Sequence, residues 1–347
     1  MNLSHKNFPF MKLNREGKGA MGKQDLWQSD YFDDKRRFAD MFNGALFDGN
    51  QIMKAEDLDE ADSNLVYHEK EGNAHNVIRD KVYKWNGCHA SICILENQSY
   101  VDYRMIFRVM LSETINYFKQ QKHKYRKWKE LGYPFDDKHE FLSKMRKDEI
   151  FIPVITLVLY LGKDKEWDGA KFLYDLLDIN DELKPFVTNY KINLYDYHEH
   201  TDFSKFVTEN RVLLELLTNS KDEDAMDKIL RKYFEGNLTE EEVAKAICGM
   251  LDINIDLTKY KKKVEKGVMV YMCKAWDDHK ESGRLEGLQQ GLQQLQEEQK
   301  SSLNSLVNIL STIYSDFESI YNKIISDEKY SNITREQVLE VYNIHKR

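Results

Sequence analysis

Residues 80–98 read DKVYKWNGCHASICILENQ, and the fold class turns on this stretch. Two strand-like runs, 80–85 and 90–98, flank Asn86-Gly87, a dipeptide that marks β-hairpins. On the second run a period of two puts Ile92, Ile94, Glu96 and Gln98 on one face. The isoleucines belong in a core, and the face then turns polar at the strand's end. An acid followed two residues later by an amide suits a metal ligand beside an attacking water. Asp80, on the preceding strand, is the natural second carboxylate. Mg²⁺ prefers one or two carboxylates and keeps several waters, so two acids and a backbone oxygen suffice. Taken singly, each acid also fits a strand cap or a surface position. The pairing carries a geometric condition. A two-residue Asn86-Gly87 turn would set Asp80 opposite Cys93, on the wrong face for Glu96, so an odd loop length or a bulge is required.

Outward from this stretch, residues 35–47 carry Phe38, Met41, Phe42, Ala45 and Leu46, the stripe of an amphipathic helix, stopped by Asp48-Gly49. Glu56, Asp57, Asp59, Glu60 and Asp62 then read as a solvated loop or helix face. Residues 64–69 read as a further strand. Residues 102–129 predict a long helix with Tyr103, Phe107, Met110, Leu111, Thr114 and Phe118 on its inner face. Residues 151–161 form a Val/Ile/Leu run of the kind buried on both faces of a sheet. The order is helix, three strands, helix, strand. Beyond about Ser204 the pattern is helical throughout, with residues 303–325 and 334–346 as a terminal helical pair.

Composition bounds the function. The 347 residues hold 41% hydrophobic and 32% charged side chains, enough for two domains or one with a large extension. No run of roughly twenty apolar residues exists, which argues against a membrane span, and no secretory signal is visible, so a cytoplasmic location is expected. Cys88, Cys93, Cys248 and Cys273 show no CxxC spacing and read as buried free thiols. The net charge of −8 argues against a nonspecific coat for nucleic acid. Gly17, Gly19 and Gly22 match G-x-G-x-x-G without the strand a dinucleotide site requires.

Several segments resemble the Rpn family (recombination-promoting nuclease/putative transposase). Residues 38–43 with Leu46-Phe47-Asp48-Gly49 are similar to its opening helix. Arg79-Asp80, Leu95-Glu96-Asn97-Gln98-Ser99-Tyr100, the run 153–160 and Trp167-Asp168-Gly169 also match, within about 23–191. The resemblance implies an α/β (α+β) fold of the PD-(D/E)XK restriction-endonuclease type, with a mixed sheet flanked by helices and, in this chain, an all-α C-terminal region. It implies Mg²⁺- or Mn²⁺-dependent cleavage of DNA in RecA-independent gene transfer. Asp80 corresponds to the first acid, Glu96 to the (D/E), and both would hold the metal. Gln98 stands where the wider superfamily has Lys, a departure the family shares; Gln orients water but carries no charge. The alternative is an inactive member acting as a DNA-binding or protein-interaction module.

The expected division is an N-terminal extension (1–22), a nuclease-like domain (23–200), a helical region (201–280) and a Gly/Gln-rich segment with terminal helices (281–347). Met21-Gly22-Lys23-Gln24-Asp25 resembles the family's usual start, so residues 1–20 are expected to be dispensable. DNA-binding candidates are Arg104 and Arg108, four apart on the helix after the motif, with Arg108 matching a family Arg; the pair reads either as a bidentate phosphate contact or as a surface ion pair. Lys119 and Lys122 open a run of six basic residues and no acid up to Lys129. That run reads either as a backbone track or as a solvated helix end. His198-Glu199-His200 lacks metal spacing and is expected at the surface. Asp40 falls on the polar side of its helix. Gly283, Gly287 and Gly291 read either as a helix seam, giving a homodimer through the C-terminal helices, or as a weakly helical tether.

Overall fold

A computed structural model describes residues 30–61, 64–68, 74–78, 81–87, 91–132, 137–265, 267–330 and 333–345. The chain divides into two compact units, Met1–Cys273 and Lys274–Arg347. Helix α1 (Lys35–Leu46) starts where Asp34 caps the Arg36 amide at 2.8 Å. It stops where Asp48 and Gly49 take positive φ and the Gly49 amide closes onto the Asn43 carbonyl at 2.8 Å.

Strands β1 (Leu58–Glu60), β2 (Asn64–His68), β3 (Ala74–Ile78), β4 (Lys81–Trp85) and β5 (Ser91–Gln98) follow. Helix α2 (Met105–Glu130) crosses over, α3 (Lys138–Ser143) is a short turn, and β6 (Val154–Tyr160) and β7 (Asn193–Asp196) complete a mixed sheet ordered β1-β4-β5-β6-β7. Strands β1, β4 and β5 run antiparallel; β5, β6 and β7 run parallel. A parallel step needs a long crossover, which α2 supplies. β2 and β3 pair with each other as a separate hairpin.

The acidic run is therefore not simply a solvated loop or helix face: Leu58–Glu60 is an edge strand, with Asp59 and Glu60 exposed and Leu58 buried. Charged residues on a short edge are a usual guard against unwanted pairing. Trp85 pairs with Ser91 and Lys81 with Leu95, so five residues connect β4 to β5. The loop is longer than a two-residue Asn-Gly turn, and its odd length meets the condition set above. Asp80 and Cys88 lie outside the described residues. Cys93 and Cys248 are buried free thiols, and burial pushes them up to about 12 and about 11; Cys273 is half-buried.

One sheet face packs on α1, where Phe38 meets Tyr83 edge-on with centroids 4.7 Å apart. The other packs on α2, where Met105, Ile106 and Val109 join Val158, Tyr160 and Trp167. This overturns the expected inner face of α2. Tyr103, Phe107, Leu111 and Phe118 are exposed, Met110 is half-buried, and the helix buries Met105, Ile106, Val109, Ser112, Ile115 and Asn116. The helix carries two apolar stripes. The sheet takes the one diluted by Ser112 and Asn116, where the Asn116 amide is satisfied by the Ser112 carbonyl at 3.1 Å.

Helices α4 (Asn210–Thr218), α5 (Glu223–Phe234) and α6 (Glu241–Leu251) follow, but this region is not all helical. Strands β8 (Thr239–Glu240), β9 (Lys261–Val264) and β10 (Gly267–Val270) form a second sheet, ordered β8-β10-β9. Helix α7 (Met272–Ser311) begins at the end of the first unit and runs on in the second. In that second unit its last turns pack with α8 (Phe317–Ile325) and α9 (Arg335–His345) around Val307, Ile320, Ile324 and Val338. The expected pair is thus the end of α7 plus two helices, because Asp316 caps a new start through the Ser319 amide at 2.9 Å. Among the described residues no helix is long and apolar enough to cross a membrane.

Candidate active site

Glu96 and Gln98 occupy the last turns of pleat on β5, on the face covered by α2. Both are nearly enclosed, each 5% exposed, rather than opening to solvent as an accessible strand end would. The chain leaves the strand through Ser99 and Tyr100 and reaches Asp102, whose carboxylate accepts the Arg104 amide at 2.9 Å and its Nε at 3.2 Å. One helical turn on, Arg108 turns back toward the sheet. Its Nη1 donates to Asp102 Oδ2 at 3.0 Å and to Gln98 Oε1 at 3.3 Å, and its Nη2 lies 3.5 Å from Glu96 Oε2. A single guanidinium fork thus ties two carboxylates and an amide oxygen to the N-terminal end of α2.

The electrostatics follow from this wiring. Burial alone would raise the Asp102 carboxyl, but hydrogen bonds from Arg104 and Arg108 outweigh it and hold it below the usual carboxylate range. The Arg108 side chain is 39% exposed, so its charge borders both the buried oxygens and the solvent.

The sequence-derived candidates separate here. Glu96, Gln98 and Arg108 come together. Arg104 joins them only through Asp102, with a side chain 71% exposed. Lys119 and Lys122 lie about 16 Å and about 21 Å further along the axis of α2, at 1.5 Å per residue. In the sequence Asp102 is legible only as a helix start; its one further signal is an acid just before a helix with Arg at the second and sixth following positions. Asp40 is buried, not on a polar side. It accepts the Val207 and Thr208 amides at 2.9 and 3.1 Å and the Asn210 side chain at 3.0 Å, clamping α1 to the start of α4.

Next to this cluster, the register aligns Gln98, Tyr160 and Asp196 across β5, β6 and β7. Buried Asp196 accepts the Trp167 amide at 2.7 Å and pairs with His198 Nδ1 at 2.7 Å. His198 is therefore half-buried in a hydrogen-bonded turn rather than a surface residue, and Trp167 is anchored by the same acid.

A family model described as "Putative transposase, YhgA-like" matches residues 84–246. Over that region the chain is similar to this family. The matched span takes in Glu96, Gln98, Asp102 and Arg108, and it begins after Asp80. Among curated proteins and among solved structures there is no significant match. The YhgA-like region holds the whole parallel half of the sheet and α2.

The donor chemistry of the cluster is oxygen only, the kind that suits Mg²⁺ or Mn²⁺ rather than soft metals. Among the described residues no group of three or more His, Cys, Asp or Glu side chains converges. A divalent ion here would therefore take few protein ligands and keep water, as Mg²⁺ commonly does.

Proposed function

We propose that the chain is a divalent-metal-dependent DNA endonuclease of the PD-(D/E)XK type, acting in DNA recombination of the transposase-like kind its family name describes. The observation that carries this reading is the cluster of Glu96, Gln98 and Asp102 on Arg108. It sits at the C-terminal end of a strand that closes an antiparallel meander and opens a parallel pair. Helix, meander, crossover helix and parallel strand is the order the resemblance implies.

Asp80 and Glu96 would hold Mg²⁺ or Mn²⁺, which supplies a polarised phosphoryl oxygen and a more acidic water. Gln98, fixed by Arg108, orients the attacking water through its amide. Arg108, its side chain 39% exposed, offers its guanidinium to the scissile phosphate. Enclosure of Glu96 strengthens each of these interactions. The five-residue β4–β5 connection is the odd loop that Asp80's assignment needs.

A second reading, a non-cleaving DNA-binding or protein-interaction module, is favoured by Gln98 at the superfamily's Lys position and by Arg108 already paired with Glu96. Nicking of supercoiled plasmid by the full-length chain decides between them. Cleavage should require Mg²⁺ or Mn²⁺, stop in EDTA, and vanish in Asp80→Ala and Glu96→Gln. Gln98→Lys should remain active, since Lys restores the superfamily's usual group. Metal-independent nicking, or nicking unchanged in Glu96→Gln, would refute the assignment.

A further inference from the structure

The outward face of α2 carries what the sheet leaves uncovered. Phe107, Leu111, Thr114, Phe118 and Lys122 recur at steps of four, three, four and four, one continuous stripe of a helix. Phe107 is 52% and Phe118 65% exposed. Just ahead of the helix Tyr103 continues the stripe, with Lys165 Nζ 3.1 Å from its hydroxyl. Bare rings in a row are costly on a surface with no partner.

The helix is also cationic, although the chain as a whole is at −8. Beyond Phe118, Lys122, Arg126, Lys127 and Lys129 are exposed and form no ion pair among the described residues, whereas Lys124 is taken by Glu149 at 2.7 Å. The two acids on α2 are Glu113, bonded to the Tyr190 hydroxyl at 2.7 Å off the stripe, and Glu130, exposed at the last residue of the helix. At the other end stands Arg108, over Glu96 and Gln98.

We propose that this face is a track for single-stranded DNA running from the Glu96 cluster along α2, so that the substrate is an unpaired or splayed strand. The cut at its end rests on the nuclease reading above; the binding does not. A duplex hides its base faces inside the stack, so exposed Phe rings gain little beside it. An unpaired strand offers each base to a ring and each phosphate to a cation. A second copy of α2 would set the same positive charge against itself. An apolar protein partner would leave the four free cations unused.

The test is fluorescence anisotropy of the full-length chain with a labelled oligothymidine in EDTA, against a duplex of equal length. The single strand should bind more tightly. Phe107→Ala and Phe118→Ala should each weaken it roughly tenfold, Phe107→Tyr should retain binding, and Phe107→Leu should not. Lys122→Ala should reduce the salt slope by roughly 0.7, one phosphate contact on a single strand. Equal affinity for duplex overturns the proposal. So does full binding by Phe107→Leu, which would mean an apolar partner surface. EDTA separates the two claims: a chain that binds single strands but never nicks plasmid keeps the track and loses the nuclease.

Discussion

Arg108 Nη2 lies 3.5 Å from Glu96 Oε2, joining the first turns of α2 to the end of β5 across the covered face of the sheet. A carboxylate that is 5% exposed needs a partner to stay charged. The guanidinium supplies it and simultaneously fixes Asp102 and Gln98. The pair therefore does two things: it orders the strand end, and it holds oxygen donors in one place.

Arg108→Ala should cost about 1–2 kcal/mol of stability, less than a fully buried pair because the Arg is partly solvated. Arg108→Lys should recover only part of this, since an ammonium cannot fork to separate acceptors. Urea denaturation of the three proteins measures both. A change within error for Arg108→Ala would mean that Glu96 and Asp102 are held by other groups.

Asp102 predicts an acid limb. Its folded-state carboxyl lies below the usual range, so its ionised form favours the folded chain. That contribution is complete above the unfolded value near 3.9 and disappears as pH falls through the depressed folded value. The difference in urea midpoint between wild type and Asp102→Asn should therefore be constant from neutral pH to about pH 5 and shrink below about pH 4. A difference independent of pH through that window rules out the charge as the source.

Gly44 sits inside α1, where alanine would normally gain about 1 kcal/mol of helix propensity. Here an added Cβ would meet the Phe206 ring at 2.1–2.7 Å. Overpacking of this kind costs about 1–3 kcal/mol, so Gly44→Ala should be net destabilising, with a lowered melting temperature. Phe206→Leu in the same chain should relieve part of the loss. A stabilised Gly44→Ala would mean that Phe206 is free to move aside.

The sequence discloses the parts of the fold that are periodic and strongly apolar. Phe38, Met41 and Phe42 mark α1, and the run from Val154 to Tyr160 marks a strand buried on both faces. It misassigns α2 because Phe107, Leu111 and Phe118 outweigh Ser112 and Asn116 in apolar count, while the sheet selects the face that also carries Arg108 to Glu96. It hides β1 and β9, whose residues are mostly charged and paired through backbone. Glu96 and Gln98 are legible from alternation. Asp102 is not, because its role exists only once Arg108 has folded back over it.

The Gly-bearing stretch of α7 predicts self-association. Residues 281–300 are exposed on every side, yet the helix is continuous from Met272 to Ser311. Most helical stability in proteins comes from packing of an apolar face rather than from propensity, and Gly283, Gly287 and Gly291 each remove about 1 kcal/mol. Leu285, Leu288, Leu292 and Leu295 recur at three, four and three residues and are 50–57% exposed, the spacing of a two-helix seam. Among the described residues, nothing outside the helix's own backbone lies within 4 Å of a Cβ placed at any of the three glycines. The Gln-rich flanks lack the charge pairs that fix register, so the dimer should be modest and concentration-dependent. Sedimentation velocity over a range of loading concentrations should show a shift toward dimer that Leu288→Ser with Leu292→Ser abolishes. Truncation after Trp276 should leave a smaller, monomeric species that retains its folded circular-dichroism signal. If the truncated chain keeps the oligomeric state of the full one, the seam lies elsewhere and this stretch of α7 is a tether.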